Sequence, residues 1–313
     1  MITRTGSICA DGLDLVEDAL RKAITSDVSL LAKASDRIVC SGGKRLRPKI
    51  VLLSYKAAGG DNIRQAVPLA AAVELLHTAS LIHDDINDRS DMRRGQPSVN
   101  ARWGDGLALL VGDFVFVRLL SLIAVLDLRA IHVLADCCTA IVEGETLQML
   151  HLGDTAMAEE TYLRIVGLKT AALFSACGEL GGVLAGGSED RVSALRDYGL
   201  NLGIAFQIRD DTLDLTGKSG KLGKPVASDL EQGKMSLATL FALRRSDEAE
   251  EVLLSKDPAQ AMRLLHHTGA LEYAMSRTRE YSERAKEALS ILPGSEARAE
   301  LSRLADFAYV RDR

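Results

Sequence analysis

Helical periodicity runs through almost the whole chain, and strand alternation almost nowhere. Only 6 prolines interrupt 313 residues, and Ala and Leu dominate, so the chain is built to be helical from end to end. Leu13, Val16, Leu20 and Ile24 form a stripe at helical spacing. A helix is predicted after Pro48 through IVLLSYKAA, stopping at Gly59-Gly60, with Asp61 as N-cap of the next one. That next helix, VPLAAAVELLHTASLIHDDIND, is apolar nearly all round and belongs inside a bundle. The segment DRSDMRRGQPSVNARWG reads as a polar connection. Helical patterns follow over 107–126, 131–150, 159–180 and 189–214, then a Gly/Lys-rich loop, TGKSGKLGKPVASDLEQGKM, then amphipathic helices to the end. With no linker or low-complexity run, the expectation is one all-α domain over 1–313, stacked helices around a central cavity.

Charge and cysteine content narrow the function. A net charge of -5 lacks the basic field of a nucleic-acid binder. The five cysteines are odd in number and form no C-x-x-C pair, which argues for reduced thiols rather than disulfides or a zinc site. The N-terminal stretch lacks the apolar core of a signal peptide, and no stretch reaches about 18 uncharged apolar residues. A soluble, cytoplasmic protein without stable membrane insertion is expected.

One feature occurs twice: a D-D-x-x-D cluster at the C-terminal end of an apolar helical segment, Asp84-Asp85-Ile86-Asn87-Asp88 after SLIH and Asp210-Asp211-Thr212-Leu213-Asp214 after AFQI. Residues i and i+4 share a helix face, so Asp84 meets Asp88 and Asp210 meets Asp214, like charges that repel. Carboxylates at the mouth of a buried cavity are costly unless compensated. Hard oxygen ligands without nearby cysteine point to Mg²⁺, which bridges carboxylates to substrate phosphates. The anion-binding partners are also present. Gly42-Gly43-Lys44-Arg45-Leu46-Arg47-Pro48 sets three cations on flexible backbone at a helix start, where anions are favoured. Arg93-Arg94, Lys169, Lys224 and Lys234 could join them in clamping two diphosphates. His77 stands two turns before Asp84 on the same face.

These stretches resemble the trans-prenyl diphosphate synthases, the farnesyl, geranylgeranyl and long-chain polyprenyl enzymes. GGKRLRP (42–48), HTASLIHDDIND (77–88), SDMRRGQPSVNARWG (90–104), LVGDF (110–114), EGETLQ (143–148), LKTAALF (168–174), GIAFQIRDDTLD (203–214) and LGKPVASDLEQGK (222–234) carry the resemblance in the family's order. It implies the all-α isoprenoid synthase type I fold, a homodimer and three Mg²⁺ per active site. Asp84, Asp85, Asp88, Asp210, Asp211 and Asp214 would be the metal ligands. Arg93, Lys169, Thr170, Gln207, Lys224 and Lys234 would serve the allylic diphosphate, with Lys169 also catalytic. Lys44, Arg47, His77 and Arg94 would hold isopentenyl diphosphate. Short-chain members often carry an aromatic five positions before the first aspartate motif. Here that position is Ala79, followed by Ser80, and neither blocks a tunnel. With the DMRRG segment and the terminal VRDR, this resembles the octaprenyl-type enzymes that make quinone side chains. A shorter-chain C15–C20 synthase is the alternative, and a non-catalytic partner subunit a further one. A class I terpene cyclase would leave GGKRLRP without a purpose. The sequence departs from the family at Met235-Ser236-Leu237-Ala238, where Thr-Leu-Pro is common; the change falls on a helix start, and activity is expected to survive it.

Overall fold

In a computed structural model the described residues are 8–93, 95–124, 126–216 and 228–310. They form α1 (Ile8–Ala23), α2 (Ser29–Val39), α3 (Leu46–Ala58), α4 (Val67–Asn87), a two-residue hairpin of β1 (Met92–Arg93) and β2 (Gln96–Pro97), α5 (Val99–Trp103), α6 (Asp105–Ile123), α7 (Leu128–Leu150), α8 (Glu159–Val166), a π-turn (Gly167–Ala171), α9 (Ala172–Leu184) and α10 (Glu189–Thr216). Then come α11 (Ser228–Glu231), α12 (Leu237–Leu243), α13 (Ala249–Leu254), α14 (Pro258–His267), α15 (Ala270–Ala288) and α16 (Glu296–Val310). The all-α class expected from periodicity holds.

Two compact units emerge. The first holds the described residues through Leu134, with Ala176–Arg196 and Ile291–Leu301. The second holds Ala135–Ser175, Asp197–Ser290 and the described residues from Ser302 on.

In the first unit α4 is the core helix. Pro68 stands in its first turn, where a missing N–H costs nothing, and its apolar surface packs on α6, α1 and α3. Val16, Leu20 and Ile24 of the α1 stripe are buried, as their spacing requires. Asn62, not Asp61, supplies a cap: its side chain accepts from the Arg64 N–H and starts a single 3₁₀ turn (Ile63–Gln65) that feeds α4. The polar connection after α4 contains β1, β2 and α5, elements too short for periodicity to reveal. Ser98 caps α5 by accepting from the Ala101 N–H. Helix α6 is less completely covered: Leu109, Leu110, Val117 and Leu120 are 47–60 % exposed. By length and composition the stretch Ile63–Asn87 and α6 could each cross a membrane, but the first is mostly interior to the protein and α6 carries Asp113 and Arg118.

In the second unit α12 packs on α15 and α8. Its start is where the sequence departs from the family. Ser236 accepts from the Thr239 N–H at 3.2 Å while the Thr239 hydroxyl accepts from the Ser236 N–H at 2.8 Å. This reciprocal cap does by hydrogen bonding what a proline does by fixing φ.

Cys40, Cys137, Cys138 and Cys177 are free thiols, and burial pushes Cys177 up to about 12 and, with the nearby Asp36 side chain, Cys40 up to about 11. Burial raises Cys138 as well, so the thiols of Cys40, Cys138 and Cys177 stay protonated at neutral pH.

Candidate active site

The first aspartate cluster terminates α4, where the last carbonyls of a helix need donors. The chain after it folds back to supply them. The Ser90 N–H and the Asn100 side-chain amide both donate to the Asp85 carbonyl, at 2.9 and 3.2 Å, and the Ser98 hydroxyl donates to the Ser90 carbonyl at 2.7 Å. Asp84 and Asp88 are half-buried, whereas Asp85 is 1 % exposed. Arg93, delivered by β1, donates to Asp85 Oδ1 from Nε at 2.9 Å and also from Nη2. Burial nevertheless raises the Asp85 carboxyl above its usual range, against the pull of Arg93. The other oxygen, Oδ2, is buried with no hydrogen-bond partner.

The GGKRLRP loop precedes α3 in the same unit. Lys44 is exposed, Arg47 half-buried and Arg45 buried. His77 is half-buried on α4. Ala79 is buried, and the Ser80 hydroxyl donates to the His77 carbonyl at 2.9 Å, folded onto its own helix. Arg94 and Lys224 lie outside the described residues.

In the second unit, Lys169 and Thr170 sit on the π-turn between α8 and α9, a deviation that often marks functional sites. Gly144 on α7 permits their placement: a Cβ there would lie 2.4 Å from the Lys169 amide nitrogen. Lys169 Nζ donates to Gln148 Oε1 at 2.7 Å and pairs with Glu145, so the EGETLQ stretch holds this lysine.

Helix α10 brings Gln207 and Asp211 to the same place, one turn apart. The Thr170 hydroxyl donates to Gln207 Oε1 at 2.8 Å, Gln207 Nε2 donates to Asp211 Oδ1 at 2.6 Å, and the buried Tyr162 hydroxyl donates to Asp211 Oδ2 at 2.7 Å. Lys169, Thr170, Gln207, Asp211, Tyr162 and Lys234 line a cavity of about 120 Å³. Sequence reasoning missed Tyr162, which carries no motif spacing, and His151, which also lines this cavity and whose Nδ1 is 2.7 Å from Asp154 Oδ2. The turn carrying His151 is stitched to the segment carrying Lys234 by a Gly153 N–H to Gly233 carbonyl bond of 2.8 Å. Asp214 is fully buried and accepts from the Ser228 hydroxyl at 2.9 Å and the Asp229 N–H at 3.1 Å, so it also anchors the returning chain. Asp210 is half-buried.

Asp211 is pushed up to about 7, first by burial, then by Asp229 and by Asp210, while Tyr162 and Gln207 pull the other way.

Among the described residues, no three His, Cys, Asp or Glu side chains form a ready metal nest. Mg²⁺ needs none: it takes one or two carboxylates and completes its shell with water and substrate phosphate. A buried carboxylate oxygen without a partner at Asp85, and an Asp211 carboxyl raised by burial and by neighbouring Asp229 and Asp210, fit a divalent cation.

A testable consequence concerns pH. The folded pKa of Asp211 is above its unfolded value, so the native state binds the extra proton between pH about 4 and 7, and stability from this group is lost as pH rises through that window. Unfolding midpoints in metal-free buffer are expected to fall across it, and Asp211→Asn to flatten the profile. An unchanged slope in Asp211→Asn would assign the proton elsewhere.

The polyprenyl synthetase family profile matches residues 28–265. A short chain isoprenyl diphosphate synthase of Methanothermobacter thermautotrophicus is 39 % identical, with 96 % of each chain covered. The octaprenyl diphosphate synthase of Haemophilus influenzae is 38 % identical over 92 % of this chain and 91 % of the relative. The crystal structure of a polyprenyl synthase from Caulobacter crescentus, complexed with calcium and isoprenyl diphosphate, superposes with a TM-score of 0.93 at 36 % identity, over 99 % of this chain and 100 % of that one. With its helical fold, its paired aspartate clusters and relatives matched along nearly their whole length, the chain belongs to the polyprenyl synthetase family and is a prenyltransferase of the polyprenyl diphosphate synthase class.

Proposed function

We propose that the protein is a trans-polyprenyl diphosphate synthase of the long-chain, octaprenyl type, serving quinone side chains from the cytoplasm. It condenses isopentenyl diphosphate head to tail with an allylic diphosphate primer. The observation that carries the reading is the Thr170–Gln207–Asp211–Tyr162 hydrogen-bond chain lining one cavity with Lys169 and Lys234. It sets carboxylates, neutral polar groups and two lysines around one cavity, the mixed set that a metal-bound diphosphate ester would need.

In this reading Asp84, Asp85, Asp88, Asp210, Asp211 and Asp214 hold Mg²⁺, three ions per site. Mg²⁺ held by these carboxylates would supply the positive charge that a departing diphosphate needs. Lys169, Arg93, Lys224 and Lys234 grip that diphosphate as the allylic C–O bond breaks, and Thr170 and Gln207 stand beside the reacting carbons. Lys44, Arg47, His77 and Arg94 orient isopentenyl diphosphate so that its double bond attacks the allylic cation. The new C–C bond forms, a proton leaves to the released diphosphate, and the product is one unit longer. Asp84→Ala is expected to abolish turnover with an unchanged circular dichroism spectrum. Near-normal turnover would remove Asp84 from the metal set.

The long-chain assignment is supported by Ala79 and Ser80, neither of which projects bulk. A shorter-chain product is the second reading, favoured by relatives named as short chain and geranylgeranyl diphosphate synthases at 39 % and 37 % identity. A partner-subunit role has a precedent in a relative named heptaprenyl diphosphate synthase component 2, but both aspartate clusters are intact here. Products from farnesyl diphosphate, excess isopentenyl diphosphate and Mg²⁺ should form a ladder ending near C40 by mass. A ladder that stops at C20 would establish the second reading.

The family profile runs through residues of both units, which supports one functional domain over 1–313. The uncovered leucine and valine face of α6 supports a homodimer. Val117→Glu is expected to shift the sedimenting species from dimer to monomer. A wild-type monomer would refute the assignment.

A further inference from the structure

The GGKRLRP loop contains three cations, and the reading above uses two of them. The third, Arg45, is 7 % exposed, with exposed Lys44 before it and half-buried Arg47 two residues on. A side chain so enclosed does not face an entering substrate. Its guanidinium is instead spent on three helices. Nε donates to Glu17 Oε1 of α1 at 2.5 Å and Nη2 to Glu17 Oε2 at 3.1 Å. Nη2 also donates to the Val39 carbonyl at the end of α2 at 2.7 Å, and Nη1 to Glu74 Oε1 of α4 at 2.8 Å.

Two features give this arrangement a direction. Glu74 is itself 3 % exposed and stands one turn before His77 on the same helix. The Arg45–Glu74 pair therefore fixes the register between the loop and the helix that together carry the proposed isopentenyl diphosphate contacts. The Val39 bond also closes residues 40–44 into a loop pinned at its base, with Gly42 and Gly43 at φ 78° and 143° making the turn. Arg45 caps α3 in a left-handed conformation, φ 46° and ψ 42°, which a non-glycine residue rarely adopts. Such a conformation persists where the surroundings over-determine it, and here the fork of hydrogen bonds does so.

We propose that Arg45 is the positioning residue of the isopentenyl diphosphate site: pinned to Glu17, Val39 and Glu74, it holds the loop so that Lys44 and Arg47 meet the diphosphate in a fixed geometry. This rests on the isopentenyl role assigned above to Lys44, Arg47 and His77. Lysine cannot reproduce the geometry, because a single ammonium lacks the planar fork that serves carboxylates on two helices at once.

The test is steady-state kinetics with each substrate varied in turn, on the wild type, Arg45→Lys, Glu17→Gln and Arg47→Gln, with melting temperatures alongside. Glu17 is partly exposed, so Glu17→Gln reads out the same network if Arg45→Lys fails to fold. The expected result is a KM for isopentenyl diphosphate raised about tenfold in Arg45→Lys and several-fold in Glu17→Gln, with the KM for the allylic primer within about twofold of wild type. A lowered melting temperature with both KM values unchanged, or an equal rise in both, would reduce Arg45 to a structural ion pair and overturn the proposal. An unchanged isopentenyl KM in Arg47→Gln would overturn the site assignment itself, and this proposal with it. A raised value there with a flat Arg45→Lys would overturn the Arg45 role alone.

Discussion

The constraint on which the structure turns is the placing of carboxylates in the interior of helices built from apolar residues. Asp85 ends a helix whose earlier turns are almost wholly core, and Asp211 faces a cavity bounded by Tyr162 and the π-turn. Water would hold such groups far more cheaply than a protein interior does. Each unit meets the cost with what it has nearby. Arg93 comes back from the short hairpin to Asp85, while Asp211 takes two neutral donors and shifts towards its protonated form. Neither solution is complete, since one Asp85 oxygen has no partner and Asp211 stays raised. Carboxylates compensated this incompletely fit the divalent cation proposed above.

Most of the fold was legible because helices long enough to repeat their apolar stripe leave that period in the sequence. Val16, Leu20 and Ile24 of the α1 stripe are buried as spaced, with Leu13 half-buried, and the predicted stretch 189–214 lies within α10. What periodicity could not show is anything shorter than two turns. The β1–β2 hairpin and α5 hide in a polar segment because four paired strand residues and one and a half helical turns leave no stripe. The cap before α4 moved from Asp61 to Asn62 because a 3₁₀ turn intervenes, and its hydrogen bond depends on backbone angles that residue type does not encode.

The site divides the same way. The aspartate clusters, Lys169, Thr170, Gln207 and Lys234 could be named from spacing and resemblance, since each sits in a motif. Their couplings could not. That Gln207 relays Thr170 to Asp211 follows from the π-turn, which inserts an extra residue into the α8–α9 run and re-aims Lys169 and Thr170. Tyr162 was invisible for a different reason: a buried tyrosine in an amphipathic helix looks like core until its hydroxyl is seen to have a carboxylate partner. Arg45 was counted among three anion-binding cations, and burial removed it from that role. Removing one partner from a buried pair of this kind costs about 3–5 kcal/mol, so an arginine retained there must be matched by its carboxylates rather than by solvent.

Chain length is where local sequence and tertiary structure must be weighed together. A helix of 21 residues such as α4 spans roughly 30 Å, long enough to flank an extended isoprenoid of many units. Whether it leaves room depends on side chains rather than on length. Ala79 carries one methyl group, and Ser80 turns its hydroxyl onto the His77 carbonyl instead of outward. That internal bond matters, because a serine hydroxyl left without a partner beside a hydrocarbon chain would be as unfavourable as a bulky group is obstructive. With its polar atom satisfied within the helix, Ser80 presents mostly apolar surface. In the long-chain reading proposed above, Ala79 and Ser80 would offer neither a plug nor an unpaired dipole, and the stop to chain growth would come from a residue beyond them.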